Sequence, residues 1–500
     1  MAKALFDCHE FQRCAAVFIP STSSEHVFAM RTNSNSPAHG KVPPLTCKAM
    51  SQRALFLAGY ALLIAGEKEK MEEVGQVLGP SDTGAIVNKQ LAPIRKMLAT
   101  WFNEAQQKSP KHGRSQGWLE YLYGLALAKD KNHDLAISWL LKSVSLYPWN
   151  WGAWQELTSL IRDGEHFKWV QSQLNPTIMA FIFSVHCRQE LHLLSTSLVS
   201  EISQLQSIFP RSLFLDSQRA LVFYRMKDLH EASSIFSKML GYDPRHLDFI
   251  DHYSNILYKL GSRERLAFVA QLASTIDRYR PETCCVIGNY YSLSSRHEDA
   301  ITHFRRALLL DRNFASAWTL LGHEYVKLEN THAAIDSYRH AVDINNKDYR
   351  AFVGLGQAYE VLEKPAFSLY YYRRAVALRP ADMDLWQMMA NCLQGMSRLP
   401  QAIDAVKKGI ACARSHTENY SGGDLDTTCQ RIELLFQLAN LYEESQNRPH
   451  AIKCLEICLE ESTAIEGSLD KTDETSKRIV TSILPSTRLL LEQWATANSE

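Results

Sequence analysis

Gly288, Gly322 and Gly356 stand 34 residues apart, and Ala390 falls on the next beat. Other positions keep the same step: Cys284, Trp318, Phe352 and Trp386; Tyr291, Tyr325, Tyr359 and Leu393; Ala300, Ala334, Ser368 and Ala402; Phe304, Tyr338, Tyr372 and Val406. A chain whose bulky, small and aromatic residues recur in one register at this period repeats a single short unit. No such unit covers its apolar face alone, so neighbouring units must stack.

Within a unit, a bulky residue precedes a small one by four positions, and an aromatic usually follows three further on. An Ala comes nine later and a second aromatic four after that. This is the tetratricopeptide pattern, a helix-turn-helix of about 34 residues. The small residue lets two antiparallel helices approach closely and the aromatics fill the space beside the contact. Pro148, Pro244 and Pro380 sit near unit ends, where proline stops a helix. The expected fold is all-α, a superhelical solenoid of antiparallel helix pairs.

The register is unbroken over 213–416, six units of which the second, around Ile250 to Ala273, is degenerate. Residues 117–212 hold further units, with Trp151 to Ile178 shortened. Residues 1–116 read as divergent repeat helices with loop insertions at Pro20 to Pro44 and Glu67 to about Asp82, followed by a helix over Thr83 to Gln107. A polar insert at 417–431 precedes a last unit and capping helices in 432–500. At least ten units are recognisable in the 500 residues.

Lys plus Arg and Asp plus Glu are each 54, and no basic run is present to neutralise a phosphate backbone, so no nucleic-acid partner is expected. The most apolar stretch, Ala54 to Gly66, is too short for the roughly 20 residues of a bilayer span, and no membrane association is expected. Eleven cysteines without a CxxC pair read as reduced core thiols. With no signal-like opening, the expectation is a soluble protein of the nucleus and cytoplasm.

Catalytic chemistry finds no foothold. Gly354-Leu-Gly356 lacks a third glycine and a preceding strand, and Gly356 is the small position of its repeat. Cys454 and Cys458 share a helix face without the further ligands zinc needs. The chain reads as a non-enzyme without metal or cofactor. Ser36-Pro37 and Ser109-Pro110 lie in expected loops and are candidate phosphorylation sites.

Binding is the remaining chemistry. Asn289, His323, Gln357 and Asn391 follow the small residue in four consecutive units, on first helices that line the concave side of this architecture. With Ser292, Lys327, Arg350 and Glu360 they read as a ladder of donors and acceptors for an extended peptide, and Glu324 and Glu360 as receivers of a basic side chain. The opposing reading is a solvated face. At the N-terminus, exposed Leu5, Phe6 and Phe18 call for cover, and a two-fold contact between copies would supply it.

Certain words go beyond the repeat pattern: Glu282-Thr-Cys-Cys-Val-Ile-Gly-Asn-Tyr-Tyr-Ser-Leu293, Ala317-Trp-Thr-Leu-Leu-Gly-His-Glu-Tyr325, Gly354-Leu-Gly-Gln-Ala-Tyr-Glu360 and Leu369-Tyr-Tyr-Tyr-Arg-Arg-Ala375. They resemble the subunit 8 family of the anaphase-promoting complex. The resemblance implies a non-catalytic scaffold of a multisubunit ubiquitin ligase that drives mitotic progression, homodimeric through its N-terminal repeats and bound to other repeat and scaffold subunits. It also implies a groove that takes a basic motif of a substrate-recruiting coactivator, with Asn289, His323, Glu324, Gln357 and Glu360, which lie within the matching words, as groove residues here, and Asn391 added by the ladder. The rival is a co-chaperone-like adaptor for an acidic C-terminal peptide, which would want a groove of Lys and Arg. An enzyme carrying repeats beside a catalytic domain finds no room in the chain.

Overall fold

The computed structural model describes residues 1–18, 50–76, 88–107, 115–191, 193, 196–419, 425–465 and 483–497. Among these residues every regular element is a helix. The helices divide between two compact units, Met1–Leu191 and His192–Glu500.

The first unit holds α1 (Ala2–Asp7), α2 (Phe11–Ala16), α3 (Gln52–Gln76), α4 (Leu91–Gln107), α5 (Trp118–Lys129), α6 (His133–Leu146), α7 (Trp151–Leu160), α8 (Gly164–Gln173) and α9 (Ile178–Glu190). The shortened repeat expected between Trp151 and Ile178 is a pair of 10-residue helices, α7 and α8. Trp154, 2% exposed, closes this pair against Phe183 at a ring separation of 4.9 Å.

Two boundaries in this unit differ from the sequence reading. Residues Glu67 to Gln76 continue α3 instead of opening a loop. Their Glu, Lys and Met side chains are good helix formers that need no apolar face to stay helical. Asn88, 3% exposed, ties the α3 backbone by donating to the Leu63 carbonyl at 3.2 Å and also reaches Glu67 Oε1 at 3.0 Å. Helix α4 starts at Leu91 instead of Thr83, with the Asn88 side chain accepting from the Gln90 N–H and Pro93 pre-set for a first turn.

The second unit holds α10 (Thr196–Ile208), α11 (Leu213–Arg225), α12 (Leu229–Tyr242), α13 (Ile250–Lys259), α14 (Arg263–Ile276), α15 (Pro281–Leu293), α16 (His297–Leu310), α17 (Ala315–Lys327), α18 (Thr331–Ile344), α19 (Tyr349–Val361), α20 (Pro365–Leu378), α21 (Met383–Gly395), α22 (Leu399–Asn419), α23 (Leu425–Glu444), α24 (Arg448–Ile465) and α25 (Leu484–Ala497). Consecutive helices pack as antiparallel pairs, and the degenerate second repeat still forms its pair, α13 and α14. The polar stretch 417–431 falls mostly on the extended ends of α22 and α23, with 420–424 outside the described residues.

The glycine column is a steric requirement. A Cβ on Gly288 would sit 2.5 Å from the Phe304 ring, on Gly322 2.5 Å from Tyr338, and on Gly356 2.4 Å from Tyr372. Each ring belongs to the second helix of the same pair and is at most 1% exposed. Tyr338 is also flanked by Gly354 of the next pair, whose Cβ would meet the ring at 2.5 Å. One ring is thus clamped between two glycine backbones and joins two repeats.

The bulky column does something the spacing does not reveal. Trp154, Trp318 and Trp386 each donate the indole N–H to the carbonyl six residues earlier, those of Pro148, Arg312 and Pro380, at 2.7, 2.9 and 2.8 Å. The turns between paired helices are equally regular: Lys227, Ser295, Glu329, Glu363 and Ser397 take left-handed backbone with φ of 56 to 67°, and Gly261 fills the equivalent turn. Only one of these six turns carries the residue that adopts the conformation freely.

Candidate functional site

The residues expected to line a peptide groove lie on α15, α17, α19 and α21 of the second unit. The structure divides them into two groups. Asn289 is 2% exposed and spends its amide inside the stack, donating to Ser254 Oγ and Asn255 Oδ1, both at 2.8 Å. Glu324 is 3% exposed and accepts from Ser292 Oγ at 2.7 Å and Lys327 Nζ at 2.8 Å, with His297 Nδ1 2.7 Å from its other oxygen. Lys327 also reaches Ser292 Oγ at 2.8 Å and Tyr258 OH at 2.6 Å. Ser254, Asn255, Tyr258, Asn289, Ser292, His297, Glu324 and Lys327 therefore form a polar seam across three repeats, and four residues expected to face a peptide, Asn289, Ser292, Glu324 and Lys327, spend polar atoms in it. The reason is column geometry: residues 34 apart stand side by side on adjacent first helices, and short polar side chains there reach each other.

Electrostatics follow from the seam. Burial pushes the Glu324 carboxyl up, but hydrogen bonds from Lys327, Ser292 and His297 outweigh it and leave the carboxyl below its ordinary range. Burial likewise opposes the Lys327 ammonium, and its bonds to Glu324 and Tyr258 raise it above the usual lysine value. Burial, reinforced by the charges of Arg350 and Lys327, drives the His323 imidazole down to about 4. His323 Nδ1 lies 2.7 Å from the Tyr338 hydroxyl, so this histidine is held neutral in a fixed pose. Arg350 is engaged by Asp348, whose charge raises the guanidinium further, through bonds of 3.0 Å from Nε and Nη2.

The second group faces solvent. Gln357 and Glu360 are exposed on α19, with Glu360 Oε2 accepting the Tyr372 hydroxyl at 2.8 Å. Asn391 is exposed on α21 and accepts from Gln437 at 2.6 Å. These three, with the half-buried His323, are the expected groove positions that keep exposed surface.

The remaining site residues lie elsewhere. Leu5, Phe6 and Phe18 are half-buried rather than exposed, packed with Ala2, Cys14, Ala15 and Ala61 of their own unit. Phe6 meets Phe11 at 5.3 Å and Tyr60 at 6.1 Å, so α3 already covers much of the surface for which a second copy was invoked. Ser36 and Ser109 lie outside the described residues. Among the described residues no helix is long and apolar enough to cross a membrane.

One set of contacts went unread in the sequence. Arg305 donates to the Tyr325 hydroxyl at 2.6 Å and Arg339 to the Tyr359 hydroxyl at 2.5 Å, the same tie one period apart. The signal was present as an Arg column in phase with the Tyr column, 20 residues apart.

Stacked helix pairs closed by a glycine-aromatic lock define a tetratricopeptide-repeat protein, and the repeat's profile matches residues 281–314 and 315–348. The profile of anaphase promoting complex subunit 8 / Cdc23 matches residues 1–220 of this chain. The chain is 36% identical over 321 residues to anaphase-promoting complex subunit 8 of Arabidopsis thaliana, covering 64% of this chain and 49% of that protein. Against subunit CDC23 of Saccharomyces cerevisiae it is 36% identical over 348 residues, 64% of this chain and 55% of that one. The cell division cycle protein 23 homolog of Homo sapiens gives 36% over 272 residues, 54% and 39%. The chain spans about half the length, or less, of the curated relatives it matches. The crystal structure of the APC/C hetero-tetramer Cut9-Hcn1 shares the fold, with a TM-score of 0.58 at 15% identity over 98% of this chain and 83% of that one.

Proposed function

We propose that the chain is a non-catalytic scaffold subunit of the anaphase-promoting complex, a ubiquitin ligase assembly, acting in the nucleus and cytoplasm. In this reading the helix stacks hold neighbouring repeat and scaffold subunits at fixed separation, and the exposed part of the first-helix face takes a basic peptide of a substrate-recruiting coactivator. The work is positional: a stiff array raises the effective concentration of one bound module at another. The observation that carries the reading is the 36% identity with subunit 8 relatives, joined to a fold whose recurring columns serve packing.

Side-chain exposure favours a smaller peptide-binding set. Gln357, Glu360 and Asn391 have solvent-facing atoms to offer, and Glu360 supplies the carboxylate for a basic side chain, whereas Asn289 and Glu324 act by keeping the repeats in register. A homodimer through the α1–α3 region, with the exposed parts of Leu5, Phe6 and Phe18 in the contact, belongs to the same proposal.

Native purification of the tagged protein from mitotic cells, with a ubiquitin-transfer assay on the eluate, tests it. Co-purification of other complex subunits with ligase activity is the expected result, and recovery of chaperones alone overturns it in favour of an adaptor. Combined Gln357→Ala and Glu360→Ala is expected to weaken coactivator-peptide binding about tenfold, the loss of roughly one charge-assisted hydrogen bond. Unchanged binding by this variant removes α19 from the peptide site.

A further inference from the structure

Within the second unit, the turn after α11 meets the turn before α21, although 157 residues separate them. Lys227 Nζ lies 2.7 Å from Asp384 Oδ2 and 3.5 Å from Asp382 Oδ1. Beside this contact Arg379 donates from Nη2 to the Arg225 carbonyl at 3.5 Å and rests on the Tyr349 ring at 4.3 Å. Helices α11 and α21 are first helices of pairs that are not neighbours in repeat order. The contacts from Lys227 to Asp382 and Asp384 and from Arg379 to the Arg225 carbonyl therefore join two pairs that are not sequence neighbours.

The two halves of this junction differ in kind. Arg379 and Asp382 are 12% and 11% exposed at their side chains, 3.6 Å apart, and Asp382 also caps α21 by accepting from the Asp384 N–H at 3.3 Å. Lys227 and Asp384 are 45% and 42% exposed. A water-exposed ion pair of this sort adds little to stability and weakens with salt. Lys227 is moreover carried on a left-handed turn residue, φ 67°, at the position Gly261 fills in the next repeat. Asp382 keeps its cap and its Arg379 partner whether or not Lys227 is present, while Asp384 would be left as a solvent-facing carboxylate.

We propose that Lys227 is an autoinhibitory clasp: its ammonium occupies the Asp382–Asp384 end of the inner face, standing in for the basic side chain of a peptide, and an incoming guanidinium or ammonium must displace it. The clasp deepens the peptide-binding reading of the same face and rests on it. Because the pair is weak and exposed, it biases the face toward the closed arrangement by only a fewfold and yields to a ligand that adds further contacts. Salt that loosens the clasp also screens the ligand, so the benefit of removing Lys227 is greatest at low ionic strength.

The test uses the full chain, wild type, Lys227→Ala and Asp384→Asn. Anisotropy of a fluorescein-labelled coactivator peptide carrying the basic motif is measured at low and high salt, and amide exchange over 379–390 is measured in the peptide-free proteins. Lys227→Ala is expected to bind about fivefold tighter at low salt with the advantage shrinking at high salt, Asp384→Asn to bind more weakly than wild type, and exchange at the start of α21 to quicken in Lys227→Ala. Equal binding by wild type and Lys227→Ala overturns the clasp and leaves the peptide reading intact. A peptide that binds none of the three overturns the peptide reading and, with it, Lys227 as a stand-in for a ligand; unchanged exchange in Lys227→Ala then also overturns the contact as a closing device.

Discussion

Replacing Gly322 by alanine sets two effects against each other. On helix propensity alone the change favours α17 by about 1 kcal/mol. Its Cβ, however, arrives 2.5 Å from Tyr338 Cε1, a contact that cannot persist. The ring has little room to move: Gly354 approaches it so closely that a Cβ there would also sit 2.5 Å from the ring, its hydroxyl is held 2.7 Å from His323, and the residue is 1% exposed. Overpacking of this kind costs about 1–3 kcal/mol, and a ring clamped from both sides belongs at the upper end. The net expectation is a loss of about 2 kcal/mol, which speeds amide exchange in α17 and α18 by roughly 30-fold. Gly241→Ala is the control, since nothing lies within 4 Å of its Cβ and the helix gain of about 0.5–1 kcal/mol remains. Exchange in α17 and α18 that is unchanged or slower in Gly322→Ala refutes the clamp; recovery in Gly322→Ala with Tyr338→Leu supports it.

Asn289→Ala removes an amide that satisfies Ser254 and Asn255 inside the stack, and a drop of about 2 kcal/mol in urea-unfolding stability is expected, with no effect confined to peptide binding. Glu363→Gly relieves a left-handed backbone at φ 56° and should raise stability by about 1 kcal/mol, read as a higher urea midpoint. His323 titrates near 4 when folded and near 6.5 when unfolded, so its neutral pose contributes fully above pH 6.5 and is lost as pH falls from 6.5 toward 4. Glu324, also held below its ordinary value, adds a further loss at lower pH. Melting temperature against pH should fall through this window in wild type and fall less steeply in His323→Gln, and parallel curves would rule out the histidine as the source.

The repeat period was legible because it is written in side-chain volume: a glycine opposite a ring 16 residues on leaves few other packings, as Gly288 with Phe304 and Gly356 with Tyr372 show. The peptide face was less legible. Spacing places Asn289 and Glu324 on the first helices, yet whether their polar atoms turn outward or toward the next repeat depends on what stands one period away. Asn255 and Ser292 turned out to be within reach. The end of α3 escaped for a different reason: Glu67 to Gln76 carries no apolar periodicity, and its helix rests on backbone propensity. The left-handed turns were hidden too, since Lys227, Ser295, Glu329, Glu363 and Ser397 carry none of the glycine that would announce them.

The polar seam makes these repeats individuals instead of interchangeable tiles. Excising one whole period, residues 281–314, would leave every apolar column in phase, and a consensus view would expect the shortened array to close up unharmed. The cut would instead set Asn255 against His323 and Tyr258 against Val326 while deleting the Asn289, Ser292 and His297 that now connect them. The apolar columns fix how far apart the repeats stand; the seam fixes their order.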